Sequence, residues 1–329
     1  MAYNKGTTTT LKSSASLVAN NLSVLTGLEG DSTTLAVTHK GSINIVHAAS
    51  GVSNLEEVFY DESKSSKDPA SYLTGAMWCQ LQSLRVVLIL TSFKGFQILE
   101  WNGSKQLYLN RFDTPEGSFA SRFARGIASV GNYVCIGTSE GPILVLNVSA
   151  QSGDVKFTKQ LQAHSYPICA LATNEKGRLA SCDERGVIVV WLDPITCDDT
   201  FAVINDSSNV PCQCLCFWKS LLIGGFSNGL IKIYNSETSA KMVEIAAHAR
   251  CINALDVALQ AGLLLSASED STVSVWKLPT DVDSNKVSLV YSTTVANSVL
   301  CGGRFIGPFG ARFAVSSFDS TELLTFTKS

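Results

Sequence analysis

The chain has 329 residues, of which 45% are hydrophobic and 16% are charged, and its formal net charge is −3. Its longest apolar runs, such as Val86–Leu90, are far shorter than the ~18 residues that a membrane-spanning helix needs. Lysines and arginines are scattered along the chain. A nucleic-acid binder typically concentrates them in a basic patch. We therefore expect neither a membrane span nor a nucleic-acid partner.

The N-terminal segment MAYNKGTTTTLKSS contains no apolar stretch that would act as a secretory signal. Without export, most of the ten cysteines are expected to remain reduced thiols. Several of them lie inside apolar runs, where cysteine packs as a small hydrophobe. The sequence thus predicts a cytoplasmic protein, and we assign no cofactor to it.

One pattern recurs seven times along the chain: an apolar strand, a tight turn that closes on Gly or Ser, and a second, alternating strand. In chain order the instances are LAVTHKGSINIV, LILTSFKGFQILEW, YVCIGTSEGPILVL, RLASCDERGVIVVW, LLIGGFSNGLIKIY, LLSASEDSTVSVW and FAVSSFDSTELLTF. Their turns lie near 41, 95, 141, 186, 229, 271 and 320, at intervals of 54, 46, 45, 43, 42 and 49 residues. Glycine in such a turn permits the positive φ of a tight hairpin.

Further strand-like runs lie between the hairpins, such as YPICALAT (166–173) and CINALDVA (251–258), and no convincing amphipathic helix occurs. Four short strands in each of seven repeats predict an all-β fold, a single seven-bladed β-propeller over residues 1–329. The last repeat offers only three strands, so the Thr-rich segment 7–14 is predicted to complete it and cover its open edge. The polar segment YDESKSSKDPAS (60–71) is predicted to be a mobile loop.

The hairpins resemble those of the WD-repeat family, whose blades carry a Gly-His pair and end a strand with Trp-Asp. Here the pairs read Ala163-His164 and Ala247-His248, and Trp191 and Trp276 close the third strands 27 and 28 residues after the two histidines. Five longer stretches resemble one branch of this family from about residue 20 to the C-terminus: NNLSVL (20–25), WCQLQSLRVVLILTSFKG (78–95), FARGIASVGNYVCIGT (123–138), AHARCINALDVA (247–258) and LLSASEDSTVSVWKL (264–278). The resemblance implies a non-catalytic cytoplasmic propeller and identifies no partner.

In WD-repeat blades, the histidine, a Ser or Thr, an Asp and the tryptophan form one chain of buried hydrogen bonds. The resemblance implies such a structural clamp here, made of His248, Ser268, Asp270 and Trp276 in the sixth repeat, with His164 and Trp191 in the fourth. Ser268 is expected to accept a hydrogen bond from the Trp276 indole and to donate one to His248. Asp270 is expected to accept from the second imidazole nitrogen. In the fourth repeat, Arg185 takes the place of Asp270.

Ser268, His248 and Asp270 are also the residue types of a hydrolase triad. A hydrolase would need an exposed serine beside oxyanion donors, whereas Ser268 lies in a strand without a G-x-S-x-G turn. The structural clamp is therefore favoured, and no catalytic residue is assigned.

Two local motifs suggest a ligand. Alternation places Cys212, Cys214 and Cys216 on one face of a strand, ~6.6 Å apart per pair, which is too straight an arrangement for a tetrahedral zinc site; core packing is favoured, and no metal is assigned. FARG (123–126) resembles the Phe-Arg-Arg-Gly signature of phosphoinositide-binding propellers, but Ala124 replaces the first arginine. A single Arg125 more commonly pairs locally.

In WD-repeat propellers, one rim gathers the hairpin turns and the histidine-bearing loops, which can vary without disturbing the fold. The resemblance places candidate partner-binding residues there, namely Phe93, Lys94, Arg125, Tyr166, Arg185, Arg250 and Phe318. Aromatic and arginine side chains dominate binding hot spots, although Phe93 and Phe318 could instead plug the central channel. We predict a non-enzymatic protein-interaction scaffold; the alternative is a lipid- or small-molecule-binding propeller that uses the rim or the channel.

Overall fold

The regular structure consists of β-strands alone: none of the described residues is helical. The computed structural model describes residues 2–27, 32–49, 52–59, 72–112, 122–162, 164–196, 200–205, 207–279 and 286–329. The prediction of an all-β chain is thus confirmed, while the loop predicted at 60–71 lies outside the described residues.

The strands are short and follow one another with tight turns between them. The first fourteen are β1 (Tyr3–Thr10), β2 (Ser23–Thr26), β3 (Thr33–His39), β4 (Ser42–Ala49), β5 (Val52–Phe59), β6 (Leu73–Gln80), β7 (Val86–Ser92), β8 (Gly95–Glu100), β9 (Gln106–Arg111), β10 (Ala124–Val130), β11 (Tyr133–Thr138), β12 (Ile143–Val148), β13 (Val155–Leu161) and β14 (Ile168–Thr173). The next fourteen are β15 (Leu179–Asp183), β16 (Ile188–Trp191), β17 (Thr200–Ile204), β18 (Cys212–Trp218), β19 (Leu221–Phe226), β20 (Leu230–Asn235), β21 (Lys241–Ala246), β22 (Ile252–Ala258), β23 (Leu263–Ser268), β24 (Thr272–Lys277), β25 (Ser288–Thr294), β26 (Leu300–Ile306), β27 (Arg312–Ser317) and β28 (Glu322–Lys328).

The described strands form seven four-stranded sheets, which we call blades 1 to 7. Blades 1 to 6 each take four consecutive strands, beginning with β2, β6, β10, β14, β18 and β22. Blade 7 joins β26, β27 and β28 to β1. In it, Tyr3 pairs with Lys328 and Thr10 with Glu322 in antiparallel register. The prediction that an N-terminal strand completes the last blade is therefore confirmed, but the strand spans Tyr3–Thr10 rather than residues 7–14.

The chain divides into two compact units. Blades 2 to 4 form one unit (Lys40–Ser42 and Val58–Cys212), and blades 5 to 7 with most of blade 1 form the other (Met1–His39, Ile43–Glu57 and Gln213–Ser329). Below they are called the blade 2–4 unit and the blade 5–1 unit. The core of each unit lies between the faces of neighbouring sheets.

The burial of each strand follows from its place in a blade. In the blade 2–4 unit, Ile89 and Phe96 of blade 2 share a fully buried cluster with Ile136 of blade 3. In the blade 5–1 unit, Leu265 of blade 6 packs in the same way with Phe313 of blade 7. Middle strands such as β11 and β23 are buried on both faces, whereas the outermost strands β13 and β21 consist mainly of exposed and half-buried residues. This contrast explains why the middle strands read as continuous apolar runs in the sequence.

Buried asparagines fix the segment that leads from β1 into blade 1. The Asn21 side chain donates to the carbonyl of Ser16 at 2.6 Å and accepts from the amide of Thr38 at 2.7 Å. Asn44 accepts from the amide of Ser13 at 3.0 Å and donates to its carbonyl at 3.1 Å. Because these side chains take the place of strand partners, they satisfy backbone polar groups of this irregular segment.

Candidate functional site

The blade 6 clamp is a continuous chain of hydrogen bonds. The Trp276 indole donates to Ser266 Oγ at 2.9 Å, and Ser266 Oγ lies 2.8 Å from His248 Nε2. On the other side of the imidazole, Nδ1 lies 2.8 Å from Thr272 Oγ1 and 3.2 Å from Asp270 Oδ2. One orientation satisfies every member: Ser266 donates to Nε2, and the Nδ1 proton points to Thr272 and Asp270.

Electrostatics in blade 6 favour a neutral histidine beside an ionised aspartate. Burial lowers the pKa of His248 below 6.5, and the nearby Asp270 only partly offsets this effect. Burial raises the pKa of Asp270, but hydrogen bonds from the Thr272 hydroxyl and the amides of Ala249 and Thr272 outweigh it, so the pKa of Asp270 falls below 3.8. A neutral imidazole is the form that can accept from Ser266 at Nε2.

The prediction that Ser268 connects the tryptophan and the histidine is wrong, because Ser266 holds that position. Ser268 Oγ instead donates to the carbonyl of Arg250 at 3.2 Å and accepts from the amide of Asp270 at 3.2 Å. Both serines point to the same face of β23, since they are two residues apart in a strand. The triad considered from the sequence is not assembled, because Ser268 does not contact His248. The serine that does contact His248 is Ser266, which is fully buried and hydrogen-bonded to both His248 and Trp276.

Blade 4 builds the same chain with a different acid. The Trp191 indole donates to Ser181 Oγ at 3.1 Å, and Ser181 Oγ lies 2.8 Å from His164 Nε2. His164 Nδ1 lies 2.8 Å from Asp183 Oδ2. Asp183 comes from the end of β15, and its second oxygen accepts from the amides of Arg185 and Val187 at 2.9 and 3.0 Å. Asp183 therefore takes the acid's role in blade 4, and Arg185 is left outside the clamp.

Glycine turns of the preceding blades position both clamp histidines. The carbonyl of Gly229, a residue at φ +84°, accepts a hydrogen bond from the amide of His248 at 3.1 Å. A Cβ at Gly229 would overlap the carbonyl oxygen of His248, and one at Gly141 (φ +105°) would overlap that of His164. Only glycine fits where backbone approaches backbone this closely at positive φ.

Aromatic and arginine side chains from three blades meet on the blade 2–4 unit. The Phe93 and Phe123 rings contact edge to face with centroids 5.5 Å apart, and the Arg125 guanidinium lies 5.4 Å from the Phe123 centroid. Arg125 also forms an ion pair with Glu184 at 2.8 Å and donates to the carbonyl of Ile168 at 2.7 Å. The guanidinium of Arg125 is thus bound to protein groups on both sides.

The same surface continues into blade 4. The Arg185 guanidinium lies 4.7 Å from the centroid of the Tyr166 ring, and Arg185, Tyr166 and Glu184 are all exposed. We call the set Phe93, Phe123, Arg125, Tyr166 and Arg185 the aromatic–arginine ledge. Four of its members were predicted rim residues, and the sequence interpretation did not include Phe123.

The other predicted rim residues have different settings. Lys94 is half-buried, with its amide bonded to Ser92 Oγ at 3.0 Å and its carbonyl accepting from Phe112. In the blade 5–1 unit, Arg250 is exposed and precedes β22, and its carbonyl accepts from Ser268. Phe318 is exposed in the turn after β27. Their roles in binding remain predictions.

Two of the thiols of the Cys212–Cys216 motif are core groups, and the third is half-buried. Cys212 and Cys214 are fully buried, and Cys214 Sγ lies 3.5 Å from the carbonyl of Ile252. Burial raises the pKa of the half-buried Cys216, and the carboxylate of Asp256 adds to this effect. Within the described ranges, no group of three or more His, Cys, Asp or Glu side chains is arranged to hold a metal ion. Nor does this part of the chain contain a helix that is long and apolar enough to cross a membrane.

Sequence comparison places the chain in one protein family. A family model described as WDR54 matches residues 3–329. The mouse WD repeat-containing protein 54 is 34% identical over 326 residues, covering 96% of each chain. The human WD repeat-containing protein 54 is 33% identical over 327 residues, covering 96% of this chain and 97% of its own length. The family branch predicted from the five sequence stretches is confirmed.

Solved structures show the same fold at low sequence identity. A chain in the crystal structure of the mitotic checkpoint complex superposes with a TM-score of 0.78 at 15% identity, covering 99% of this chain and 93% of that one. The RRP9 WD40 repeats superpose with a TM-score of 0.74 at 12% identity, covering 97% of each chain. The predicted seven-bladed WD-repeat β-propeller is confirmed.

Proposed function

This chain belongs to the WDR54 family, and we propose that it is a non-enzymatic scaffold that binds protein partners through the aromatic–arginine ledge of blades 2 to 4. WD-repeat propellers typically bind other proteins, and the fold supplies many turns whose side chains do not contribute to the core. The observation that carries the proposal is that the ledge extends over three blades. Ring and cation–π contacts join Phe93, Phe123 and Arg125, and the ion pair of Arg125 with Glu184 reaches the turn that carries Arg185.

The ledge has the composition of a binding hot spot. Aromatic and arginine side chains bury large areas at interfaces and lose little conformational entropy when they are already held in place. Here Phe93 rests on Phe123, Phe123 is covered by Arg125, and Arg185 is stacked on Tyr166. The exposed faces of these groups are therefore presented in fixed positions to a partner.

The altered clamp of blade 4 supports this use of Arg185. Because Asp183 supplies the clamp's carboxylate from the end of β15, the turn position that Asp270 occupies in blade 6 is released from a structural duty. Arg185 fills that position and stacks on Tyr166 instead. Stability and recognition are thus assigned to different residues within one turn.

Cytoplasmic localisation is part of the proposal. The nine cysteines in the described part of the chain are free thiols. Burial raises the pKa of Cys79 and Cys135 to about 12, so these thiols stay protonated and poorly reactive. This supports a protein that resides in a reducing compartment.

The proposal is tested by quantitative mass spectrometry of proteins that co-purify with the tagged full chain. The ledge variant is Phe93→Ala/Arg185→Glu, which changes two exposed side chains outside the clamps. The matched control is Phe318→Ala/Arg250→Glu, which makes the same two substitutions in the blade 5–1 unit. Both variants are first checked for an unchanged melting temperature. Partners lost only from the ledge variant support the proposal, whereas partner lists equal to that of the wild type for both variants contradict it.

A further inference from the structure

Two exposed apolar side chains lie together on neighbouring turns of the blade 5–1 unit. Leu259, in the turn between β22 and β23, is 49% exposed, and Phe309, between β26 and β27, is 70% exposed. The turns are joined directly, because the Pro308 carbonyl accepts from the amides of Gln260 at 3.0 Å and Ala261 at 3.4 Å. We call Leu259 and Phe309 the apolar tips.

The backbone beneath the tips is firmly held. The Tyr3 hydroxyl, from the N-terminal strand, donates to the Gly310 carbonyl at 2.6 Å, and the Trp218 indole donates to the Leu259 carbonyl at 3.0 Å. Gly310, at φ +66°, packs so closely that a Cβ there would lie 2.8 Å from Leu263 Cδ1. The tips are therefore held by well-packed turns, while most of the Phe309 side chain remains outside the core.

Cationic side chains lie on the segments next to the tips. The Lys277 ammonium donates to the Ala261 carbonyl at 2.6 Å, and the Lys219 ammonium lies 4.6 Å from the centroid of the Trp218 ring. Arg312, at the start of β27, and Lys328, at the end of β28, are both exposed. The amide of Lys328 donates to the carbonyl of Ala311, which precedes Arg312. Among the described residues, no carboxylate lies within ion-pair distance of Lys219, Arg312 or Lys328. The turns themselves, 257–263 and 305–312, contain no Asp or Glu.

We propose that the apolar tips and the cations around them dock the protein on an anionic membrane surface, with Phe309 entering the interface between headgroups and acyl chains. A bilayer accepts a protruding apolar tip without a preformed pocket, whereas a protein partner must provide a matching cavity. The anionic headgroups of the bilayer complement the charge of the neighbouring lysines and arginine. This peripheral contact uses residues of blades 5 to 7 and is independent of the ledge.

The test is co-sedimentation of the full chain with vesicles of phosphatidylcholine alone and of phosphatidylcholine with about one-third phosphatidylserine. The wild type is expected to bind the anionic vesicles and to lose binding at high salt, because exposed charges are screened. Phe309→Ser should weaken the apparent affinity at least about tenfold, since it removes one large buried side chain. The matched control is Phe157→Ser, which changes a 53% exposed phenylalanine on strand β13.

Each other outcome overturns the proposal. Wild-type protein that stays in the supernatant, or that binds neutral vesicles equally well, excludes an anionic docking surface. Equal loss in Phe309→Ser and Phe157→Ser shows adsorption by exposed apolar groups in general. Sedimentation velocity without vesicles identifies the remaining occupant: a dimer that becomes a monomer in Phe309→Ser assigns the tips to a second copy of the chain.

Discussion

Blades 4 and 6 solve one structural problem in two ways. In both, a tryptophan, a serine and a histidine form the same three-membered chain, and the serine lies ten residues before the tryptophan. The acid differs: blade 6 uses Asp270 from the hairpin turn, assisted by Thr272, whereas blade 4 uses Asp183 from the strand end. Asp183 is the more deeply buried acid, with a side chain 2% exposed against 13% for Asp270.

The difference shows that the histidine requires an acceptor at Nδ1 rather than an acid at one fixed sequence position. A buried imidazole N–H without a partner costs about 1–3 kcal/mol, so either source of an acceptor preserves the blade. Moving the acid into the strand changes what the turn can carry. In blade 4 the turn presents Arg185 to solvent, while in blade 6 the turn is occupied by the clamp itself.

The largest expected effect separates the two acids. Asp183→Ala removes the direct partner of His164 and the acceptor of two backbone amides, and it should lower the free energy of unfolding by about 3 kcal/mol. Asp270 also accepts from two backbone amides, those of Ala249 and Thr272. Asp270→Ala should nevertheless cost only about 1–2 kcal/mol, because Asp270 is less buried and Thr272 still accepts from His248. Urea denaturation of both variants measures the difference. Equal costs would show that Thr272 does not support the histidine.

The second prediction compares two serines on one strand. Ser266→Ala should cost about 2 kcal/mol, because it leaves both the Trp276 indole and the Nε2 atom of His248 without a partner. Ser268→Ala should cost about 1 kcal/mol, since its two bonds are longer and end on backbone groups of a half-buried turn. Both residues are fully buried serines, so each is the control for the other in urea denaturation. A larger cost for Ser268→Ala than for Ser266→Ala would contradict the assignment of Ser266 as the serine that connects Trp276 to His248.

A third experiment transfers the blade 6 arrangement into blade 4. Counted back from each tryptophan, Asp183, Arg185 and Val187 correspond to Ser268, Asp270 and Thr272. The triple variant Asp183→Ser/Arg185→Asp/Val187→Thr should regain about 1 kcal/mol over Asp183→Ser alone, since it restores an acceptor for His164. It should also reduce partner capture, because Arg185 leaves the ledge. No gain over Asp183→Ser, measured by urea denaturation, would mean that the two clamps are not interchangeable.

The smallest expected effect is a pH dependence that originates in blade 6. Because the pKa of His248 is lowered in the folded protein, the unfolded chain takes up a proton first as the pH falls below its ordinary value of 6.5. The contribution of His248 to stability is therefore complete above pH 6.5 and is lost progressively as the pH falls from 6.5 to the folded pKa. His248→Gln should show a shallower decline in the urea midpoint between neutral and mildly acidic pH. An unchanged slope would contradict a neutral, buried His248.

Much of this architecture could be predicted from the sequence because it depends on local chemistry that repeats. Seven similar hairpins at a near-constant interval require seven similar sheets, since each repeat alone cannot bury its apolar faces. The N-terminal strand could be predicted for the same reason, as the last repeat lacks one strand and an open edge invites aggregation. His248 and Trp276 were recognised because their spacing is fixed by the strands between them.

The sequence predictions were wrong where two neighbouring residues of similar chemistry could make the same hydrogen bond. Ser266 and Ser268 lie on the same face of one strand, and only the diagonal reach of the Trp276 indole selects Ser266. The common spacing of ten residues to the tryptophan in blades 4 and 6 was the signal that could have identified it. In blade 4 the sequence does not distinguish Asp183 from its neighbours as the acid, because no sequence rule states which residue of a turn faces the histidine.

The sequence by itself determined the class of fold, the number of blades and the pairing of the two chain ends, because periodic patterns of apolar residues and turns encode them directly. Tertiary structure alone decided which serine and which acid complete each clamp, and which rim residues meet. Phe123 joins Phe93 to Arg125, and Glu184 joins Arg125 to the Arg185 turn, through contacts between blades that are far apart in sequence. Such contacts depend on how sheets pack against each other, and no local pattern records that packing.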